Sequence, residues 1–351
     1  MTNRAELQRV LQAFAPQGKI EEAGPLPGGL IHGSWVVKTS DDQHLVLQQL
    51  NTEVFTQPAA VMENIRGVTA HLRAAGETTL EFLSMATDPT EDLHRSDEGE
   101  TWRVCRFVSG TRPSGPLQGP DDARAAGQAF GRFTARLADF PAGQLAQTIP
   151  GFHDTPLRWA ALLQAHHQDE AGRAEEVALE MEYLFEKWDL SQGLFRLDLP
   201  VRVAHNDAKW SNVLLDETTG RPRCVVDLDT VMPGTPLHDF GDLMRTVCCP
   251  ADEEETDLDQ VEVDPSLVQA LAEGWVGEMD AVLEPIERLN LLPAGLVITF
   301  EQAIRYLTDY LLGDVYYRTD HSQQNLDRAR NQLTLLESML NQLPELARVL
   351  P

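Results

Sequence analysis

His205-Asn206-Asp207-Ala208-Lys209-Trp210-Ser211-Asn212 is flanked by apolar residues, with Val201, Val203 and Ala204 before it and Val213, Leu214 and Leu215 after it. Arg223-Cys224-Val225-Val226-Asp227-Leu228-Asp229 follows within a few residues and reads as a second strand. The intervening Asp216-Glu217-Thr218-Thr219-Gly220 is rich in hairpin residues. Two short strands therefore present Asp207, Lys209, Asn212, Asp227 and Asp229 in one neighbourhood.

Phosphoryl transfer calls for such a set. A carboxylate accepts the proton of an attacking hydroxyl, an amide oxygen and a second carboxylate hold Mg2+ against the ATP phosphates, and a lysine neutralises charge on the moving group. Asp207, Asn212, Asp227 and Lys209 fit those roles in turn, and Asp229 either joins the metal site or orients the Asp227 strand. The spacing matches the kinase catalytic loop H-R-D-L-x-x-x-N, with Asn206 in place of Arg and Ala208 in place of Leu. The bland alternative is a polar hairpin with a solvated charge cluster. The V-V-D-L-D strand and the Gly234-to-Asp242 segment weigh against it.

At 351 residues the chain holds one large or two medium domains. A hydrophobic content of 42% with regular apolar periodicity indicates a folded globular protein. No apolar run approaches the roughly 20 residues of a membrane helix, and residues 1–7 lack the apolar core of a signal peptide. The expected location is the cytoplasm. Cys105, Cys224, Cys248 and Cys249 form no C-x-x-C pair and read as reduced, buried small hydrophobes. A net charge of −27 disfavours nucleic acid and anionic membranes as partners. It could favour a cationic substrate, but solubility or a salty or hot habitat is the favoured explanation.

In chain order, Leu7, Val10, Leu11 and Phe14 mark an amphipathic helix over residues 4–14. A Gly-rich segment, residues 24–33, precedes the strand Trp35-Val36-Val37 and lets backbone approach a ligand closely at Gly28 and Gly29. It is neither a Walker A loop nor G-x-G-x-x-G. The strand His44-Leu45-Val46-Leu47-Gln48-Gln49-Leu50 places Val46 and Gln48 where a kinase-like strand meets ATP, but a lysine is absent. Glu63, on a helix over residues 58–73, then has no lysine to pair with and either aids Mg2+ or is solvated, the solvated role being the expected one. Residues 80–83 and 102–108 read as two further strands separated by a hairpin loop. The connector Ser109-Gly110-Thr111-Arg112-Pro113-Ser114-Gly115-Pro116 marks a boundary between an N-terminal nucleotide-binding lobe (1–110) and a C-terminal catalytic and substrate-binding lobe (111–351). In a two-lobe kinase the backbone of such a connector bonds the adenine edge, and Phe107, Val108 and Ser109 are the candidates. Beyond it the chain reads as mostly helical, near 119–139, 156–187, 265–286, 293–312 and 323–343. Trp159, Leu162 and Leu163 read as core, Asp239 and Asp242 as helix caps, and the acidic run 252–259 as a solvated loop. Arg305 and Asp309, four apart, can pair, and Tyr316 follows the same helix.

These segments together resemble the aminoglycoside phosphotransferase and choline kinase superfamily. Within it the likeness is to the N-acetylhexosamine 1-kinases. It is carried by Leu47-Gln48-Gln49-Leu50-Asn51, His205-Asn206-Asp207-Ala208-Lys209, Asp227-Leu228-Asp229-Thr230-Val231-Met232-Pro233-Gly234, Asp239-Phe240-Gly241-Asp242 and Arg305-Tyr306-Leu307-Thr308-Asp309-Tyr310-Leu311. The resemblance spans about residues 25–335. It implies an α+β, protein-kinase-like two-lobe fold, with an antiparallel N-terminal sheet plus helix and a mostly helical C-terminal lobe. It also implies ATP and Mg2+, Asp207 as base, Asn212 and Asp227 as metal ligands, and a sugar near His32, Arg305 and Tyr316. The loop around His32 departs from the G-H-I-N-D-T pattern of such sugar kinases. A kinase of choline, homoserine or an aminoglycoside, and a nucleotide-binding regulatory pseudokinase, remain the alternatives.

Overall fold

The computed structural model describes residues 4–15, 17–26 and 31–350. The chain divides into two compact units, Met1–Thr111 and Arg112–Pro351.

The first unit is built on a five-stranded sheet in the order β1-β2-β3-β5-β4. Its strands are β1 (Ile20–Pro25), β2 (Gly33–Thr39), β3 (His44–Leu50), β4 (His94–Arg95) and β5 (Thr101–Arg106). The paired strands run antiparallel. Alternation along β3 sorts its side chains onto two faces. Leu45 and Leu47 join Val37, Trp102 and Val104 against Leu7, Val10, Leu11 and Phe14 of helix α1 (Arg4–Phe14). Gln48 and Arg103 lie on the other face, where Arg103 reaches Met62 of helix α2 (Pro58–Ala74). The apolar stripe Val61, Ile65, Val68 and Leu72 is buried, while Glu63 is exposed as expected. Residues 80–83 do not form the expected strand. They make a single bridge, Phe82 to Cys105, because the run is too short to extend the ladder.

The second unit is mostly helical. Its helices are α3 (Pro120–Arg136), α4 (Thr155–Gln168), α5 (Ala178–Phe195), α6 (Pro236–Val247), α7 (Pro265–Met279), α8 (Pro285–Leu289), α9 (Leu291–Leu311), α10 (Gln324–Asn341) and α11 (Leu343–Val349). Two small sheets accompany them. One joins β7 (Arg202–Ala204) to β10 (Met232–Gly234), and the other runs β6 (Thr111–Pro113), β8 (Val213–Asp216), β9 (Pro222–Val225). α9 is apolar on nearly every side and is therefore the central helix, packed by α4, α5, α6 and α10. Trp159 and Leu162 belong to the core, but Leu163 is exposed. The acidic run is not simply solvated. Asn331 Nδ2 donates to the carbonyls of Asp252 and Glu255, and Arg328 Nε donates to Glu254 at 2.7 Å, which docks the run on α10.

Two glycines let α3 and α7 approach closely. A Cβ on Gly127 would overlap the Leu271 carbonyl, and one on Gly274 would overlap the Arg124 carbonyl. Gly274→Ala is expected to destabilise the protein by about 1–3 kcal/mol through overpacking. Gly277→Ala on the same helix meets nothing within 4 Å and should gain about 0.5–1 kcal/mol from helix propensity. Denaturant melts of the two variants check this opposition in sign. All four cysteines are unbridged and buried. Among the described residues no helix is long and apolar enough to cross a membrane.

Candidate active site

Strand β7 delivers the chain into residues 205–212, and this loop is held from several sides. His205 is fully buried between Phe130 and Phe133, with ring centroids at 5.2 and 5.7 Å. Its Nδ1 accepts the Asp207 N–H (3.3 Å), which leaves Nε2 to donate to the Val226 carbonyl (3.0 Å). Asn206 adopts a left-handed backbone, φ 63°, and its side-chain amide donates to the carbonyls of Ala204 and Thr230. Such a conformation costs a non-glycine residue free energy and persists only where the surroundings enforce it. Asp239 enforces it: Oδ2 accepts the His205 N–H at 2.9 Å and Oδ1 the Asn206 N–H at 2.7 Å. Asp239 is therefore not the cap of its own helix. Thr235 caps α6 instead, and Asp242 binds Arg245 at 2.7 Å.

Asp207 lies in a charged cluster. Lys209 Nζ is 2.7 Å from its Oδ1, and 27% of the Asp207 side chain remains exposed. Burial pushes the Asp207 carboxyl up, but Lys209 outweighs it and brings the group to about 2. Burial equally opposes the Lys209 charge, yet Asp207, Glu253 and Asp242 raise this ammonium above its ordinary value. Asn212 Nδ2 donates to the Asp207 carbonyl at 2.9 Å, so its Oδ1 is turned the other way. Glu253 bonds Arg245 and accepts the Tyr306 hydroxyl at 3.3 Å. The sequence did not single out Glu253, although an acid in an otherwise solvated run that faces a buried Arg is the kind of pairing only the fold reveals.

Asp227 does not continue a strand. β9 ends at Val225, and Asp227 is an exposed residue with φ 61°, a left-handed conformation that terminates the ladder. Asp229 is 2% exposed on the 3-10 turn that follows, where its carbonyl accepts the Thr148 hydroxyl at 3.0 Å. The hairpin β8–β9 thus places Asn212 and Asp227 at its two outer ends: Val213 pairs with Val225, and Val226 N–H donates to the Asn212 carbonyl at 2.9 Å.

The expected pair of Arg305 with Asp309 is absent. Asp309 instead accepts the N–H groups of Val315, Tyr316 and Tyr317 and the Asn325 amide, because the chain turns back beyond Gly313 and Asp314, both with positive φ. Arg305 lies over Phe152, with Cζ 4.6 Å from the ring centroid, and near Tyr317 at 5.8 Å, and donates to Gln302. Tyr316 is 38% exposed and edge-on to Tyr317 at 4.8 Å, so it is not core. Burial and the neighbouring Arg305 charge depress the Arg158 guanidinium. Arg158 donates to the Phe152 carbonyl. Lys209 acts electrostatically on the phenols of Tyr306 and Tyr317, so these residues extend the Asp207 cluster.

Behind the loop, His153 bonds the Asn206 carbonyl through Nε2 (3.1 Å) and Glu301 through Nδ1 (2.8 Å). Burial raises the Glu301 carboxyl, but His153, the Thr155 hydroxyl and Arg305 pull it down to about 2. A carboxyl that binds its proton less tightly folded than unfolded stabilises the fold above its ordinary value, 4.5, and loses that contribution as pH falls towards 2. The contribution is on the order of 3 kcal/mol at about 1.36 kcal/mol per pKa unit. Glu301→Gln should be less stable at pH 7 and show a flatter loss between pH 4.5 and 2 in urea melts. An unchanged acid slope would remove Glu301 as its source.

In the first unit, Gly28 and Gly29 lie outside the described residues. His32 Nδ1 accepts the Asn51 N–H at 3.0 Å, and its ring lies 5.3 Å from Phe55. Val46 is buried in β3, and Gln48 bonds Ser34 and Arg103. The Phe107 N–H donates to the His44 carbonyl, and the Val108 carbonyl accepts the Thr111 hydroxyl.

A family model described as the phosphotransferase enzyme family matches residues 22–284. The microcompartment-associated aminopropanol kinase is similar in structure, with a TM-score of 0.68 at 18% identity over 99% of this chain and 100% of its own. A spectinomycin phosphotransferase in complex with ADP and spectinomycin gives 0.63 at 11% identity, over 98% and 99%. A choline/ethanolamine kinase family protein from Mesorhizobium loti gives 0.61 at 16%, over 99% and 97%. At these identities the likeness speaks for the fold, a two-lobe kinase-like architecture with an antiparallel N-terminal sheet and a mostly helical remainder.

Proposed function

The chain belongs to the phosphotransferase enzyme family, and on that premise we propose that it transfers the γ-phosphoryl group of ATP to the anomeric hydroxyl of an N-acetylhexosamine. The observation that carries the reading is the ionised, part-exposed Asp207 held against Lys209 in an enforced loop.

Asp207, at about 2, is a weak base. It orients the acceptor hydroxyl and takes its proton late, when bonding to phosphorus has made that oxygen acidic. Lys209 keeps Asp207 ionised and offsets negative charge on the moving group. Oδ1 of Asn212 and the Asp227 carboxylate are hard oxygen donors and fit Mg2+. Mg2+ commonly keeps waters and phosphate oxygens and takes only one or two protein ligands. Bound there, Mg2+ would draw charge from the phosphates. Asp229, being buried, is assigned to hold the turn that aims Asp227.

For the acceptor, Arg158 and Arg305 stand close enough to act on each other, beside the aromatic rings of Phe152 and Tyr317. Two guanidiniums repel a cationic amine and hydrogen-bond well to the oxygens of a neutral sugar. An amino-alcohol acceptor, the second reading, is favoured by the net charge of −27 and by the activity named for the aminopropanol kinase. ADP release over a panel of N-acetylglucosamine, N-acetylgalactosamine, aminopropanol, choline and aminoglycosides separates the two. Phosphorus NMR of the product then identifies the oxygen. Turnover of amines alone overturns the sugar reading, and no turnover with any acceptor leaves the regulatory pseudokinase.

A further inference from the structure

Resting on that reading, we infer that Gln302 sets acceptor specificity, by holding Arg305 and Tyr317 together through a neutral amide where a carboxylate would cancel the guanidinium charge. Gln302 and Arg305 lie three residues apart on α9, a spacing at which a helical arginine meets an ion-pair partner. Arg305 Nη1 donates to Gln302 Oε1 at 3.0 Å, and Gln302 Nε2 donates to the Tyr317 hydroxyl at 3.2 Å. A guanidinium can only donate, so it fixes which end of the amide is oxygen and turns the Nε2 end to the phenol. Gln302 is 6% exposed. One buried amide thus sets two groups from different segments, Arg305 on the helix and Tyr317 on the loop that Asp309 ties back to it.

These groups stand beside the reacting loop. Glu301, next to Gln302 in the chain, bonds His153 Nδ1 at 2.8 Å, and His153 Nε2 bonds the carbonyl of Asn206, the residue before Asp207. Arg305, one helical turn beyond Glu301, lies over Phe152, the residue before His153. The acids four residues to either side of Arg305 make their hydrogen bonds elsewhere. Glu301 bonds His153 and Thr155, and Asp309 bonds the backbone of residues 315–317 and Asn325. The partner that Arg305 does take is neutral. A positive wall favours hydroxyl and carbonyl oxygens over an ammonium group, and rejection by repulsion requires that its charge stay uncancelled. Gln302→Glu separates charge from shape. It keeps the side-chain length and both contacts, because the second carboxylate oxygen accepts the Tyr317 O–H, and it adds a negative charge beside the guanidinium.

The test is steady-state kinetics of the wild type, Gln302→Glu and Gln302→Leu, with ATP as donor and N-acetylglucosamine, N-acetylgalactosamine or aminopropanol as acceptor. Gln302→Glu should lower kcat/KM for the sugars relative to aminopropanol by about tenfold or more, the worth of a hydrogen bond to a charged group, and leave KM for ATP within about twofold. Gln302→Leu drops both bonds without adding charge and should raise the sugar KM by about tenfold, again with KM for ATP little changed. A sugar-to-aminopropanol ratio in Gln302→Glu within about twofold of the wild type, the range of a neutral substitution, overturns the assignment. So does equal weakening of ATP and sugar in Gln302→Leu, the mark of a packing role. Should Gln302→Leu not fold, the ratio in Gln302→Glu decides alone: a shift towards the amine supports the assignment, and an unchanged ratio overturns it. A wild type that turns over aminopropanol and neither sugar overturns the sugar reading and this assignment together, whereas an unchanged ratio in a sugar-active protein overturns this assignment alone.

Discussion

Asp207→Asn is expected to bind ATP as the wild type does and to transfer phosphate about 10²–10⁴-fold more slowly, the usual worth of a positioned general base. Asparagine fills the same space and keeps a carbonyl oxygen towards Lys209, so the loop has no steric reason to move. The amide has lost the negative charge that aligns a hydroxyl for in-line attack and the lone pair that finally accepts its proton. Lys209 also loses its 2.7 Å counter-charge. Because burial already opposes the lysine charge, its pKa should fall towards the ordinary value. Steady-state kcat together with a direct ATP titration separates the two effects. A variant that turns over at near-normal rate would remove Asp207 from the chemistry.

Asp239→Ala should be the most damaging change outside the reacting groups. Asp239 is wholly buried, and its two oxygens take the N–H groups of His205 and Asn206. Truncation strands two buried donors, each at about 1–3 kcal/mol, so the summed loss is about 2–6 kcal/mol. Asn206 simultaneously loses part of what holds it at φ 63°, and the following residue is Asp207. Activity should therefore fall even at temperatures where the variant is folded. Asp239→Asn, which keeps one acceptor, should lose roughly half as much stability. Denaturant melts and kcat below the melting range are the measurements. A loss under about 0.5 kcal/mol in the alanine variant, the range of a neutral surface change, would mean that other contacts carry the loop.

Several features were legible because they are written in neighbouring residues. The β3 strand over residues 44–50 and the helix α2 appear where the alternation of Leu45 and Leu47 and the spacing of Val61, Ile65, Val68 and Leu72 place them. The hairpin turn at residues 216–220 was equally local. The strand expected to run through Asp227 was lost because V-V-D-L-D has strand composition, whereas the residue itself adopts φ 61°. Composition carries no information about that sign.

The amino-acid sequence by itself pointed to phosphoryl transfer, since the spacing of His205, Asp207 and Asn212 sets groups within one short loop, where chain geometry leaves little freedom. It also determined which lengths of chain become strand and helix, because apolar period is a local property. Tertiary structure alone decided that Asp239 grips the 205–212 loop from 33–34 residues away, that Asp309 shapes the loop of Tyr316 and Tyr317 instead of pairing with Arg305, and that Glu253 turns inward to Arg245. It also set Arg103 against Gln48, 55 positions apart. A buried polar group takes whichever partner the packed chain brings within reach, and an unmet one is costly. Partner choice therefore follows the folded geometry and leaves no period or spacing in the chain to read.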